Sequence, residues 1–333
     1  MAVTHTEAPL NRETSLEELA TAPGAPLYVR CNFAIPRLDA ATWSLAVDGM
    51  VRRPATLDLA ALRALPFVER DVLLECAGNG RSLMDPVPAG VAWGLGAVGV
   101  ARFGGAPLAA LLDRCELDPA TTELVFTGAD TGVVEGRETA YAFSLERELA
   151  LADGPLLAWI MNGAPLAPEH GHPVRLVVPG QYGMRSVKWL TRITATDRPF
   201  EGHFRERYRY RGERGMPDGS PVGPIRVRSL ILSPRADDRL GRSAVGVRGI
   251  AWSGSGPVRR VEIGIDGQWS ETQIEAGSEP ARWRLDWTPP GPGSYELAAR
   301  ATDAAGMTQP EAAVWNEGGY GNNVVHRVRV TVD

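Results

Sequence analysis

The chain has little cysteine, and its cysteines match no common metal or redox motif. Its 333 residues include three cysteines, Cys31, Cys76 and Cys115, and no CxxC pair. This excludes a zinc ribbon, a thioredoxin-like motif and a c-type haem attachment site. An odd, sparse set of cysteines is also a poor disulfide framework and is typical of a reducing compartment, which predicts a cytoplasmic protein.

An excess of positive charge and long apolar runs are also missing. The net charge is -5 at pH 7, so nucleic acid is not expected as a partner. Residues 1–7 lack a basic segment followed by an apolar core, and no apolar run is long enough to span a bilayer. No membrane is therefore expected as a partner either.

Glycine and proline are plentiful, with 37 and 26 residues and no period, which predicts many turns and a strand-rich fold. A chain of 333 residues exceeds what one hydrophobic core usually supports, so two domains are predicted. Residues 212–224, rich in glycine and proline, are predicted to connect them. Beyond this connection, short alternating runs such as residues 261–265 and 283–287 predict a β-sandwich of immunoglobulin type.

Local patterns predict several elements of the first domain. Residues 15–18, Ser-Leu-Glu-Glu, are a capping box that starts a short helix. Residues 57–65 and 107–115 are predicted helices, and residues 43–47 are a predicted strand. A further strand at residues 124–126 is predicted to end at the polar stretch that follows it.

Cys76 stands between a strand-like apolar run at residues 72–74 and a sharp turn at residues 78–81, Gly-Asn-Gly-Arg. A thiol at a strand end, next to backbone that can approach a ligand closely, suits a soft metal or a nucleophile. A lone cysteine after an apolar run is more often a small buried hydrophobic residue, but the Gly-Asn-Gly turn is unusual for packing alone. Residues 73–81 by themselves leave both interpretations open.

A second dense motif covers residues 168–189, where histidine, arginines and a lysine surround two flexible turns. Such a cluster can bind an anionic, hydrogen-bonding ligand, although a solvated sheet edge is the alternative. Residues 203–214 interleave arginines with Tyr208 and Tyr210. At strand spacing this pattern predicts one arginine face, either solvated or guiding anions.

Residues 94–99, Gly-Leu-Gly-Ala-Val-Gly, match GxGxxG formally. The dinucleotide fingerprint needs a strand before the glycines and a helix that opens within them. Residues 102–105, Arg-Phe-Gly-Gly, are expected to break any such helix. The glycines therefore do not predict a dinucleotide site.

Several of these segments resemble, in the same order, the signature of the sulfite oxidase family of molybdenum enzymes. The resemblance runs from about residue 8 to the C-terminus and is carried by Cys76-Ala77-Gly78-Asn79 with Arg81, by His170-Gly171-x-Pro173-x-Arg175, by Val178-Pro179-Gly180 and by Val187-Lys188-Trp189. It implies an α+β fold: a mixed molybdopterin-binding domain, here residues 1–213, followed by an Ig-like β-sandwich, residues 225–333. In the family the second domain forms a homodimer.

The resemblance also implies a set of site residues. Cys76 would be the thiolate ligand of molybdenum. The cofactor, molybdopterin without a nucleotide, would be held by Tyr28, Val29, Arg30, Cys31, Asn32, Asp130, His170, Arg175, Ser186, Val187 and Lys188. The catalytic residues would be Cys76, Arg30, Arg81 and Tyr208, and the substrate pocket would contain Arg81, Trp93 and Tyr210. A family tyrosine near the metal aligns without gaps to Arg209, so Tyr208 and Tyr210 are both candidates, and Tyr208 is preferred.

Three departures from the family pattern limit what it implies. Cys31-Asn32 stands where the family has asparagine and histidine after its arginine, and Gly318 stands where its sulfite oxidases carry an arginine. No haem domain is expected, which implies a separate electron carrier such as a cytochrome. The implied activity is a two-electron oxygen-atom transfer on a small anion, with oxidation of sulfite to sulfate preferred. A reductase of nitrate or a sulfoxide, or a non-catalytic dimeric scaffold, are the alternatives.

Overall fold

The N-terminal arm begins with a small antiparallel sheet. The computed structural model describes residues 2–21 and 26–333. The arm contains β1 (Thr4–Glu7), β2 (Leu10–Arg12), α1 (Leu16–Leu19) and β3 (Val29–Arg30). The predicted capping box is confirmed: the Ser15 hydroxyl accepts from the Glu18 amide at 3.1 Å, and the Ser15 amide donates to the Glu18 carboxylate at 2.9 Å. These bonds satisfy amides that a helix start leaves without partners.

Two five-stranded sheets form the body of the first domain. One sheet has the order β5-β4-β13-β8-β9, in which only β4 and β13 are parallel. Its strands are β4 (Ser44–Gly49), β5 (Ala55–Asp58), β8 (Glu123–Val134), β9 (Arg137–Glu146) and β13 (Leu190–Thr196). The other sheet is antiparallel, with the order β11-β10-β7-β6 and β12 also on β10. Its strands are β6 (Val68–Glu75), β7 (Val98–Pro107), β10 (Leu156–Met161), β11 (Ala164–Pro165) and β12 (Arg175–Val177).

Short helices cover these sheets. They are α2 (Leu59–Arg63), α3 (Leu108–Arg114), α4 (Arg147–Leu151) and α5 (His203–Arg207). Helix α3 buries Leu108, Leu111 and Leu112, the i, i+3, i+4 set that the sequence pattern predicted. Full burial of each such leucine contributes roughly 1.5–3 kcal/mol, so α3 is held mainly by this face. Helix α2 begins later than predicted, because residues 55–58 pair with β4 first.

The predicted end of the strand at residues 124–126 is wrong. Strand β8 continues to Val134, with an irregularity in its pairing with β9 between Thr127 and Thr131. Residues 203–214 do not have the strand spacing at which one face would be arginine. They form α5 and then the short strand β14 (Arg209–Tyr210), which pairs with β15 (Ser220–Pro221). In α5 the Phe204 side chain is buried, and its ring packs on Tyr141 at 4.4 Å.

The C-terminal part is a β-sandwich, and the predicted Ig-like fold is confirmed. One sheet has the order β16-β18-β22-β21 and the other β17-β24-β23-β19-β20. Their strands are β16 (Arg228–Ser233), β17 (Arg239–Leu240), β18 (Val245–Trp252), β19 (Val258–Ile265), β20 (Gln268–Glu271), β21 (Gln273–Ile274), β22 (Ala281–Trp287), β23 (Gly293–Asp303) and β24 (His326–Val332). Strand β24 shows the alternation: Val328, Val330 and Val332 are buried, while Arg329 and Thr331 between them face solvent.

Among the described residues, no helix is long and apolar enough to cross a membrane.

Candidate active site

Cys76 lies at the wall of a cavity in the first domain. Ten of the residues singled out in the sequence meet there: Tyr28, Arg30, Asn32, Cys76, Asp130, His170, Arg175, Ser186, Lys188 and Tyr208. They come from five separate stretches of the chain, so the fold assembles them. We call this space the main cavity.

A smaller pocket adjoins the main cavity and shares Cys76, Arg30 and Tyr208 with it. Its further lining residues include Arg81, Trp93, Arg207 and Tyr320. We call this space the inner pocket. Three arginines therefore lie around one thiol, which makes the inner pocket suited to an anion.

The Cys76 loop is held by backbone hydrogen bonds at the end of β6. The Cys76 amide donates to the Ala97 carbonyl at 2.8 Å, and the Asn79 amide donates back to the Cys76 carbonyl at 2.9 Å. Gly80 follows with φ of 81°, a conformation that glycine adopts without strain. Burial raises the pKa of the Cys76 thiol, against the effect of Arg30 and Arg81. The two arginines alone therefore do not ionise this thiol.

Glu75, directly before the cysteine, ties this loop to the C-terminal sandwich. Its carboxylate accepts hydrogen bonds from Arg228 Nη1 at 2.9 Å, from Asn79 Nδ2 at 2.9 Å and from Trp252 Nε1 at 2.8 Å. Both Glu75 and Arg228 are almost fully buried. Burial raises the pKa of Glu75, and these three donors oppose the rise. The second domain is thus part of the support beneath the Cys76 loop.

Asp130 reaches the main cavity because β8 bulges. The pairing of β8 with β13 shifts near Gly128, and the Ala129 amide donates to the Trp189 carbonyl at 2.8 Å. A side chain at Gly128 would meet Asp130 Oδ1 at 2.6 Å, so glycine is needed beside the bulge. Asp130 Oδ1 is buried and has no hydrogen-bond partner among the described residues. Burial raises the pKa of Asp130 to about 6, with Lys188 opposing.

Arg175 holds the two loops of the second motif together. Its guanidinium donates to the His170 carbonyl at 3.0 Å and to the Ser186 carbonyl at 3.2 Å. Burial, together with Arg175 and Lys188, lowers the pKa of His170 to about 3, so its imidazole is neutral at physiological pH. Lys188 Nζ donates to the Glu169 carbonyl at 2.8 Å and lies 3.2 Å from Cys31 Sγ.

Four predicted site residues lie off the two cavities, within the part of the chain that the structure describes. Val29, Cys31 and Val187 are packed into hydrophobic clusters instead. Tyr210 was predicted to line the substrate pocket, but it lines neither cavity. Its ring packs under the Arg226 guanidinium at 4.5 Å. Tyr208 lines both cavities, so the geometry favours it over Tyr210.

The glycines of the formal GxGxxG have a structural role. The next residues form β7 and not a helix, as the sequence indicated. A Cβ atom at Gly96 would lie 1.8 Å from the Thr14 carbonyl oxygen, and the Gly94 and Gly96 amides donate to Glu13 at 2.6 and 2.9 Å. Because these glycines have no side chains, the N-terminal arm can pack against the segment that carries Trp93.

Comparison with known proteins identifies the family. Residues 32–204 match the oxidoreductase molybdopterin binding domain, and residues 222–333 match the Mo-co oxidoreductase dimerisation domain.

The chain belongs to the sulfite oxidase family of molybdenum-dependent oxidoreductases.

Relatives of the chain are named for different activities. The chain is 33% identical to the NAD(P)H nitrate reductase of Hordeum vulgare, over 97% of this chain and 41% of that protein. It is also 33% identical to the mitochondrial sulfite oxidase of Homo sapiens, over 98% of this chain and 65% of that protein. The chain therefore spans less than two thirds of the length of these two relatives. The sulfane dehydrogenase SoxCD from Paracoccus pantotrophus superposes with a TM-score of 0.83 at 26% identity, over 98% of this chain and 85% of that one.

The main cavity fits the molybdopterin that this family binds. The unpartnered Asp130 Oδ1 is a buried acceptor that lacks a donor, and N–H groups of a pterin would supply one. Lys188 and Arg175 would neutralise the cofactor phosphate, and the Cys76 thiol is a soft donor for molybdenum. The family cofactor therefore suits the charge and hydrogen-bonding needs of these walls.

Sequence reasoning missed three residues of this sulfite oxidase family site. Tyr141, whose hydroxyl donates to the Met184 carbonyl at 2.8 Å, lines the main cavity from β9. Arg207 and Tyr320 line the inner pocket. The alternation of β9 offered a weak signal for Tyr141. The contribution of Tyr320 depends on domain packing, which no local pattern records.

Proposed function

We propose that the chain is the molybdenum-binding and dimerisation part of an oxidoreductase that oxidises sulfite to sulfate. The observation that carries this proposal is the position of Cys76 between two different spaces. The main cavity has an acceptor for pterin N–H groups and cations for the cofactor phosphate, and the inner pocket has arginines that suit a small anion. The reaction converts sulfite and water into sulfate, two protons and two electrons, and the electrons leave to a separate carrier.

The protein groups bind, orient and balance charge. When bound, the cofactor supplies a redox-active metal and a transferable oxygen atom. Cys76 would hold the metal as a thiolate, and the bound cation would offset the burial that raises the pKa of the free thiol. Arg30 and Arg81 hold positive potential where a substrate anion enters and where charge builds up during oxygen transfer. Tyr208 lines both spaces and is placed to donate a hydrogen bond to that anion.

Reduction of nitrate is the second candidate. It is supported by the similarity to the Hordeum vulgare nitrate reductase, and by Gly318 at the position where the resemblance places a sulfite oxidase arginine. The pocket does not separate the two substrates by charge, since both are small oxyanions.

An assay of the purified protein with artificial electron partners separates the two. The protein is produced in a molybdopterin-competent host and tested for sulfite oxidation with ferricyanide and for nitrate reduction with reduced viologen. We expect sulfite oxidation without nitrate reduction. Nitrate reduction without sulfite oxidation would reverse the assignment. A protein that binds molybdopterin stoichiometrically but shows neither activity would support another substrate or the scaffold.

The assembly and location follow as further proposals. The match of residues 222–333 to a dimerisation domain supports a homodimer, which light scattering of the purified protein would test. The separate one-electron carrier, such as a cytochrome, remains part of the proposal, as does the cytoplasmic location, which rests on the sparse cysteines.

A further inference from the structure

Two of the three arginines of the inner pocket are engaged in holding the fold. Arg81 Nη1 donates to the Val91 carbonyl at 2.6 Å, and its Nε and Nη2 donate to the Gly318 carbonyl at 3.1 and 2.9 Å. Arg30 donates to Asn32 Oδ1 at 2.7 Å and to Asn11 Oδ1 at 3.2 Å. Their charge reaches the pocket, but much of their donor capacity is already used.

Arg207 is differently placed. It lines the inner pocket with Cys76, and it also lines an outer cleft that contains Gly318. Within residues 2–21 and 26–333, its guanidinium makes no ion pair and no hydrogen bond to a backbone carbonyl, and the Tyr320 hydroxyl is its side-chain hydrogen-bond partner. Its remaining donors are therefore available to a ligand that passes from the cleft to the thiol.

Helix α5 fixes this position. Phe204 is buried against Tyr141 at 4.4 Å and against Phe33 at 5.7 Å, which sets the inward face of the helix. Arg207 and Tyr208 follow at i+3 and i+4, so they lie on the same face. The Tyr208 ring then packs against Tyr320 at 5.2 Å. Arg207 is thus directed to the pocket by packing on both sides.

The Gly318 segment beside Arg207 cannot contribute a side chain of its own. A Cβ atom at Gly318 would lie 2.3 Å from the Tyr320 ring, and one at Gly319 would lie 2.8 Å from Arg81. Such contacts require the neighbouring group to move. The cation with open donors at this entrance is therefore supplied by another segment that lines the cleft, which includes Arg207.

We infer that Arg207 is the substrate-binding arginine that captures a small oxyanion at the entrance of the inner pocket. The inference rests on the proposed function in so far as it names the substrate class of the same site. Other arginines of the outer cleft are already paired: Arg209 Nε and Arg211 Nη2 donate to the Glu206 carboxylate at 2.7 and 2.6 Å. Capture of the anion therefore falls to Arg207.

The test measures binding of sulfate to the holoenzyme by isothermal titration calorimetry, with turnover measured separately. The variants are Arg207→Gln, Arg207→Lys and the matched control Arg209→Gln. Both glutamine variants remove one positive charge from the same cleft, but only Arg207 reaches the inner pocket. Molybdenum content and circular dichroism verify that each variant is folded and loaded.

We expect Arg207→Gln to weaken sulfate binding on the order of ten-fold, as the loss of a charge-assisted hydrogen bond requires. Arg207→Lys should recover part of this affinity, and Arg209→Gln should stay within about two-fold of wild type because its charge is already paired. Equal affinity of wild type and Arg207→Gln overturns the inference. So does equal weakening by the control variant, and so does a wild-type holoenzyme that binds no sulfate.

These outcomes are separate from those of the proposed function. A holoenzyme that does not oxidise sulfite but binds sulfate through Arg207 refutes the proposed activity and keeps the inference. Sulfite oxidation with unchanged kcat/KM and unchanged sulfate affinity in Arg207→Gln keeps the activity and refutes the inference.

Discussion

The carboxyl group of Asp130 destabilises the protein until a partner reaches it. Asp130 is only 4% exposed, and its Oδ1 has no partner among the described residues. Burial raises its pKa from 3.8 to about 6. The folded protein therefore holds this proton more tightly than the unfolded chain. The stabilising effect of the protonated form is fully present below pH 3.8 and is lost as the pH rises to about 6.

This difference in pKa corresponds to about 3 kcal/mol of unfolding free energy at pH 7.5, and roughly half of that loss has occurred by pH 5. Asp130→Asn replaces the carboxylate with a neutral group of the same shape, so the pH-dependent loss of unfolding free energy disappears. We expect the apoprotein variant to be more stable than wild-type apoprotein by up to about 3 kcal/mol at pH 7.5, and by less at pH 5. The same variant should retain less cofactor, because one oxygen that accepts pterin N–H groups becomes a donor.

Urea unfolding of the apoprotein, produced without molybdopterin synthesis and followed by tryptophan fluorescence at both pH values, measures this effect. Asp197→Asn is the matched control, because that aspartate is exposed and outside the cavity. Its effect should be small and equal at the two pH values. An Asp130→Asn apoprotein that is no more stable than wild type at pH 7.5, or equally stabilised at both pH values, would refute the reasoning.

Three further predictions follow from the Cys76 loop and its support. The Cys76→Ser variant should lose molybdenum and turnover but keep much of the pterin, as measured by metal and pterin analysis. The control variant at the buried Cys115, Cys115→Ser, should keep molybdenum and turnover. Full activity in Cys76→Ser would contradict the assignment. Arg228→Met leaves the Glu75 carboxylate buried without its cation and should cost about 3–5 kcal/mol in urea unfolding, while adding Glu75→Gln should recover part of this; an unchanged midpoint would show that the pair is not needed. Removing residues 225–333 should give a monomeric, unstable fragment by light scattering, because it uncovers Glu75; an unchanged dimer would contradict this.

Much of the fold was predictable where local chemistry decides the structure. The capping box at Ser15 and the apolar face of α3 are satisfied within a few residues, so their patterns were sufficient. The turn after Cys76 could also be predicted from the sequence, because a glycine with positive φ and a strand end are local features. The alternating runs of the sandwich predicted its fold for the same reason.

Other parts depended on contacts between distant segments. The alternation of arginine and tyrosine after His203 did not indicate the helix α5, whose Phe204 packs on Tyr141. The bulge that directs Asp130 inward arises from pairing with β13, some sixty residues later, and no local pattern records it. Tyr208 and Tyr210 could not be separated until the turn into β14 was known.

The sequence by itself determined which chemical groups are available: one thiol at a strand end, and loops rich in cations and glycines. The tertiary structure decided how they are used. It joins Glu75 to Arg228, 153 residues away, and brings Gly318 and Tyr320 of the second domain to the same pocket as Arg207. The physical reason is that residue types and local turns are encoded within short stretches, whereas burial, pKa and donor availability depend on what packs against a group in three dimensions.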